Sequence, residues 1–419
     1  MRKSFALALI QLGFLAACGG GGYSGGMTTP PPTQTIATPG PPNVETVTVD
    51  AGPPAATFTA VNTPFISVKV CVPGTGTTTC QTIDHIEVDT GSIGLRILAD
   101  APLTVALPVA TDAVGNPMAE CLEFADGTSF GSLAVADIQL PVSGETATGV
   151  TVQIIGDTTY PTIPSDCGPG TPMENTVAAF GANGILGVGP FIDDCNSTDS
   201  CPIPTPGNPQ GVIYYSCPTP LACVDATASV MEQLPNPVIL FGTDNNGVIV
   251  ELPAVGSSGT TTVSGSLVFG IGTRTNNALG TATVLPLIAT STGDFITATY
   301  KGTAYADGYI DSGSNGNFFT DSSLVPCTTA TGFYCPTSTM SETATLQGTS
   351  TTMLAADFSV ANAETLFSNT SYTAFSNLGG TNPDAMGFDL GLPFFYGHNV
   401  FTAIENANTA VGMGPYFAH

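Results

Sequence analysis

Residues 83–98 read IDHIEVDTGSIGLRIL, and residues 305–319 read YADGYIDSGSNGNFF. Each stretch is a short apolar run that ends on an acid, Asp89 or Asp311, and passes at once into a hydroxyl residue, a glycine and a serine. The runs HIEV and GYI have strand character and deliver each acid to a strand end, while Gly91 and Gly313 let the backbone turn sharply behind it. Thr90, Ser92, Ser312 and Ser314 set hydroxyls next to the two carboxyl groups, where they are expected to donate hydrogen bonds and orient them. If the two copies meet about a pseudo-twofold axis, the carboxyl groups face each other. Like charges that close cannot both ionise, so the pair shares one proton and titrates as a unit. Such a pair can take a proton from water and give another to a carbonyl oxygen.

The 419 residues suffice for two lobes or one large β domain, and no long stretch has helical periodicity. Short Val/Ile/Thr-rich runs bounded by Gly, Pro and Asn recur instead, which predicts a mostly β fold. With 42% hydrophobic and only 9% charged residues, a large core is available and the surface must be mainly Thr, Ser, Asn and Gln. Six Lys plus Arg against 32 Asp plus Glu give a net charge of −26, so no basic patch can be assembled. Nucleic-acid binding is excluded on that ground, because phosphate neutralisation supplies most of its affinity.

The N-terminus, MRKSFALALIQLGFLAAC, has Arg2 and Lys3 ahead of an apolar run too short to span a membrane, and reads as an export signal. Its end, Leu15-Ala16-Ala17-Cys18, resembles the lipobox of bacterial lipoproteins. That resemblance implies cleavage before Cys18 and acylation of its thiol, and Gly19 in the next position favours outer-membrane sorting. Residues 19–43 are Gly- and Pro-rich and read as a tether, long enough at about 3.1 Å per residue to hold the body up to about 75 Å from lipid. Removing Cys18 from the 11 Cys leaves an even number in an exported chain, for which disulfides are the default. Closeness in sequence favours Cys71/Cys80, Cys195/Cys201, Cys217/Cys223 and Cys327/Cys335, leaving Cys121/Cys167. Connectivity is not fixed by sequence. The absence of Cys-x-x-Cys and the scatter of the three His speak against zinc.

The paired Asp-Thr-Gly-Ser and Asp-Ser-Gly-Ser motifs resemble those of the pepsin-like aspartic proteases, whose two aspartates share a proton in the way described above. Other segments fall in the order this resemblance demands. FADGTSFGSLAVADIQL at 124–140 is similar to the flap hairpin, with Phe124 at the tyrosine position and Gly127 and Gly131 at matching spacing. NGILGVG at 183–189 looks like the segment that crosses behind the first acidic motif, GSLVFGIGT at 265–273 like the strand closing the N-terminal lobe, and GLPFFYGHNVFTAIENANTAVGMGP at 391–415 like the C-terminal lobe's counterpart and the final strands. The resemblance spans roughly residues 57 to 417. It implies a bilobal fold with a cleft, an N-terminal lobe at 44–272 and a C-terminal lobe at 273–419. A closer likeness, through DTGSxGLR, DNNG, FGIGT, DSGSNG and GLPFFYG, is to a family of bacterial exported and lipoprotein chains. It supports the fold more than catalysis. Two departures from pepsins stand out. Phe124 cannot donate a hydrogen bond, and Arg96 occupies the usual tryptophan position seven residues after the first acid. Both are assigned to the flap and substrate region.

Smaller signals are structural. Asp193 and Asp194, with Asp199 inside the adjoining Cys195–Cys201 loop, read as a solvated acidic loop rather than a calcium site. DNNG at 244–247 reads as a hairpin turn. His85, four residues before Asp89, could modulate it but is assigned to the face opposite the side chains that matter, and His398 in YGHN has no evident partner. Glu87, two residues before Asp89, shares its face and would set a third carboxylate near the pair. The expected function is aspartic endopeptidase chemistry on peptides outside the cytoplasm, by a monomer without metal or cofactor, held to the membrane only by its lipid. The alternative is a peptide- or glycan-binding lipoprotein on the same scaffold, which the intact acid pair opposes and Phe124 and Arg96 favour. Cys18→Ser is expected to release a soluble protein. Wild type fed a clickable fatty acid should become labelled, and an unlabelled wild type would overturn the lipoprotein reading.

Overall fold

The computed structural model describes residues 34–195, 200–204, 211–289 and 294–419, so Cys18 and Asp199 lie outside the described residues. The chain is mostly β: 44% of residues are in strands and 5% in helices, which leaves the helices no part in the framework beyond short connections. A 15-stranded sheet takes its strands from Val44–Val49 through Val263–Phe269 and adds Val284–Pro286, Asn399–Ala403 and Tyr416–Ala418 from further along the chain. An 8-stranded sheet is built from the residues between Ile288 and Leu390. The sheet order therefore does not break at 272/273, the boundary drawn from sequence. Asn399–Ala403 pairs with Gly247–Glu251, so a late strand covers an edge that the earlier residues leave open.

Pairing is mainly antiparallel, as the alternating burial of the Met340–Gln347 and Met353–Val360 hairpin illustrates. The exceptions flank the acidic motifs, and they repeat. The strand Cys80–Asp89 runs parallel to Gly184–Val188, which pairs antiparallel with Ile93–Leu98, which runs parallel to Thr146–Ile155. The strand Thr303–Ile310 runs parallel to Gly387–Leu390, which pairs antiparallel with Asn317–Phe319, which runs parallel to Gly379–Gly380. The sequence repeat is thus a repeat of topology. In each copy a later strand is inserted between the two arms of the acidic turn. Gly187 and Gly391 make that insertion possible, since a Cβ on the first would strike the backbone of Ile93 and on the second that of Gly316.

One apolar cluster runs through both sheets, from Val47, Val88 and Leu186 to Phe388 and Phe417. Behind the first acidic motif it is aliphatic, with Leu95, Ile97 and Val188 fully buried. Behind the second it is aromatic: Phe319 lies 5.0 Å from Tyr300, 5.2 Å from Phe388 and 5.3 Å from Phe358, ring centre to ring centre. The four disulfides that closeness in sequence favours form, and so does the remaining pair, Cys121–Cys167.

Residues 34–43, read from sequence as the end of the tether, lie on the body. The Gln34 side-chain amide donates to Leu252 O, His398 O and Asn399 Oδ1 at 2.9, 2.7 and 3.0 Å, and Ala37 N–H donates to Glu251 Oε2 at 2.6 Å. Composition flags this segment as unable to build a core, but it needs none when polar groups of the body meet it.

Several acids are sealed in the fold. Burial pushes Glu251 up to about 7 against the opposing Ala37 N–H. Burial and the Asp244 charge push Glu145 up to about 7, and burial and the Glu405 charge push Asp193 up to about 6. The folded state thus keeps protons that the unfolded chain releases above about pH 4, and stability is lost as pH rises through about 6 to 7. Glu364, held down to about 2 chiefly by the Thr329 N–H, acts only at lower pH. The thermal midpoint of the body is expected to fall between pH 5 and pH 8. A midpoint that rises over this range would mean these acids fold ionised.

Candidate functional site

Asp89 ends the strand Cys80–Asp89, and Asp311 directly follows Thr303–Ile310. Inside each turn a glycine N–H donates to the acid: Gly91 to Asp89 Oδ1 at 2.7 Å and Gly313 to Asp311 Oδ1 at 2.8 Å. The two turns fit into each other. A Cβ on Gly91 would lie 2.6 Å from Asp311 Cγ, and one on Gly313 would lie 2.6 Å from Asp89 Oδ1. Each carboxyl group therefore rests on the glycine of the other motif. That close approach, rather than the turn conformation read from sequence, is what excludes a side chain, because neither glycine has a positive φ.

Thr90 and Ser312 have a different task from the one their position suggests. Thr90 N–H donates to Ser312 Oγ at 3.1 Å, and that hydroxyl donates to Val88 O at 2.8 Å. Ser312 N–H donates to Thr90 Oγ1 at 2.9 Å, and that hydroxyl donates to Ile310 O at 3.2 Å. Neither hydroxyl is spent on a carboxylate. They exchange reciprocal bonds and lock one acidic strand to the other. Of the two serines further on, Ser314 Oγ donates to Asp311 Oδ2 at 3.0 Å, while the buried Ser92 hydroxyl has no hydrogen-bond partner among the described residues.

Asp89 is 6% exposed, and Asp311 and Gly313 are partly exposed beside the exposed Gly91, so solvent reaches the pair. Burial pushes the Asp311 carboxyl well above the usual range, helped by the charges of Asp89 and Asp389 and by a hydrogen bond with Asp89, against the Gly313 N–H. Asp389 supplies the third carboxyl that sequence reading seeks at Glu87. It stands opposite Tyr309 in the parallel register, where the first copy pairs Glu87 with Ile185. The repeat could have revealed it: GILG at 184–187 and FDLG at 388–391 align, with an acid in the second where the first has isoleucine.

Phe124 and Gly127 close the tip of the hairpin between Met118–Glu123 and Thr128–Gln139, where Phe124 N–H donates to Gly127 O at 2.7 Å. The Phe124 ring meets Phe180 edge-on at 5.7 Å, and Gly127 packs on Glu174, which a Cβ there would strike at 2.5 Å.

Arg96 is fully buried and reaches no solvent from which to meet a ligand. Its guanidinium donates to Glu120 Oε1 at 2.6 Å, to Asp194 Oδ2 at 2.9 Å and to the Ile93 carbonyl. Tyr214 OH donates to Asp194 Oδ1 at 2.7 Å. Asp194, read from sequence as solvated, is thus an internal counter-ion. Arg96 fastens the strand after the first acidic turn to the Glu120 strand of the hairpin. Arg96→Met would leave two buried carboxyl groups without a cation. It is expected to cost about 3–5 kcal/mol by urea denaturation, and a loss under about 1 kcal/mol would mean that the acids can hold protons instead.

No curated protein matches the chain. Residues 39–419, from the docked N-terminal segment onward, match the family described as "Protein of unknown function (DUF3443)", and the chain belongs to that family.

Proposed function

We propose that the protein is an aspartic endopeptidase of bilobal, pepsin-like design that hydrolyses peptides outside the cytoplasm, held to the bacterial envelope by a lipid on Cys18. The observation that carries this reading is the seating of Asp89 and Asp311 on each other's glycines, with matching Gly N–H bonds in the two turns. With one proton between them, the ionised carboxyl takes a proton from a bound water, whose oxygen attacks the peptide carbonyl carbon. The protonated carboxyl gives its proton to the carbonyl oxygen, which yields a gem-diol. Collapse then breaks the C–N bond as a proton passes to the departing amine. This chemistry draws on two carboxyl groups and water alone. The Gly N–H donors fix the carboxyl planes, and the Thr90–Ser312 exchange fixes their spacing.

One observation favours the second reading, a peptide- or glycan-binding scaffold without turnover. The hairpin tip presents Phe124, which packs on Phe180 and has no hydroxyl to offer a substrate. Digestion of a peptide library by the soluble body at acid and neutral pH separates the two. Asp89→Asn and Asp311→Asn are each expected to lower kcat/KM by about 10²–10⁴-fold with the fold intact. If wild type and both variants cleave nothing yet bind the same peptide equally, the binding reading replaces the enzyme.

A further inference from the structure

The repeated topology gives an internal control for every residue around the pair. Glu87 and Ile185 stand opposite each other beside Asp89, and Tyr309 and Asp389 stand opposite each other in the same register beside Asp311. Asp389 therefore puts a carboxyl where the first copy has an aliphatic side chain. It is 2% exposed, and its Oδ1 has no hydrogen-bond partner among the described residues. A buried carboxyl with a vacant oxygen is costly, and a merely structural position would take the isoleucine of the other copy.

Its surroundings are acidic. The Ser314 hydroxyl, which donates to Asp311 Oδ2, also lies within hydrogen-bonding reach of Asp389. The strand on one side presents Tyr309, whose phenol is raised by burial and then by the charges of Asp389 and Asp311, with the Asn382 side chain opposing and Asp384 adding to the rise. The strand on the other side presents Phe318. Asp307, further along, is paired with Asp384. Of the described Lys and Arg residues, Arg96 is engaged with Glu120 and Asp194, Arg274 with Asp244, and Lys301 with Asp321 and Glu342, while Lys69 stands on the strand Pro64–Cys71 opposite Thr82 and Gln139. Among the described residues no Lys or Arg forms an ion pair with any of these three carboxyl groups, which leaves protons to relieve their repulsion.

We propose that Asp389 is a third member of the Asp89–Asp311 pair, coupled to it through Ser314, and that it sets the pH at which the pair gives up its shared proton. Burial, opposed by Ser314, carries Asp389 up to about 7, which places its own charge change in the neutral range. An ionised Asp389 raises the proton affinity of Asp311, so the singly protonated pair persists to higher pH than two carboxyl groups alone would allow. Asp389 is a positioning residue for that proton, since it acts through Ser314 and Asp311.

The proposal rests on the pair being the functional centre, but its first test needs no turnover. Infrared titration of the soluble body, from about pH 4 to pH 9, follows the protonated-carboxyl band that Asp311→Asn removes. In Asp389→Asn, and in Asp389→Ile, which copies the other half of the repeat, the loss of this band should move to lower pH by about one unit or more. The alkaline limb of a pH–kcat/KM profile should move with it. An unchanged midpoint in both folded variants would overturn the coupling. A shifted band in a protein that cleaves no peptide would keep the coupling and sink the endopeptidase reading instead.

Discussion

The Thr90–Ser312 exchange is the constraint on which the site depends. Two full negative charges about 4 Å apart would repel by about 4 kcal/mol at an effective dielectric of about 20. The four hydrogen bonds of the exchange contribute about 1 kcal/mol each, which is only comparable. The clamp can hold the acid turns together comfortably only if the pair keeps a proton, and burial first, then the Asp89 and Asp389 charges, raise the Asp311 carboxyl in that direction. Spending the threonine and serine on the clamp leaves the carboxyl groups to be oriented by backbone N–H groups, which cannot rotate away.

The rest of the fold serves that contact from behind. In each copy a returning strand, Gly184–Val188 or Gly387–Leu390, fills the gap between the arms of the acidic turn, and it fits because Gly187 within the first and Gly391 directly after the second leave no room there for a side chain. The aliphatic packing behind Asp89 and the aromatic packing behind Asp311 are different solutions to the same demand for a rigid floor. Arg96 extends the first floor into the hairpin strand through Glu120, so an ion pair ties the strands around Asp89 to the Met118–Glu123 strand of the hairpin.

The two halves of the repeat share their topology but not their electrostatics. The N-terminal half offers an aliphatic neighbour at Ile185, and the C-terminal half offers Asp389. Asymmetry of this kind is a means of telling two otherwise equivalent acids apart, since a pair that shares one proton needs some difference to decide which member holds it.

The sequence by itself determined the strand character, the two acids, the glycines beside them and the even set of cysteines left for disulfides, because these depend on local spacing and on residue types with few alternatives, while the pairing of those cysteines was a preference that the fold decided. It also contained the GILG/FDLG correspondence, which becomes informative only once the strands are known to be equivalent. Tertiary structure alone decided what each hydroxyl bonds. Thr90 and Ser312 are neighbours of the acids in the chain, yet each other's partners in space. It decided that Arg96 is an internal counter-ion, because Glu120 and Asp194 converge on it from distant segments. It also joined Gln34 and Ala37 to the body and carried Asn399–Ala403 onto Gly247–Glu251. The physical reason is common to all of these. A side chain's partner is whichever group the packing of the sheets brings within about 3 Å, and that packing is settled by the whole core rather than by the residues on either side.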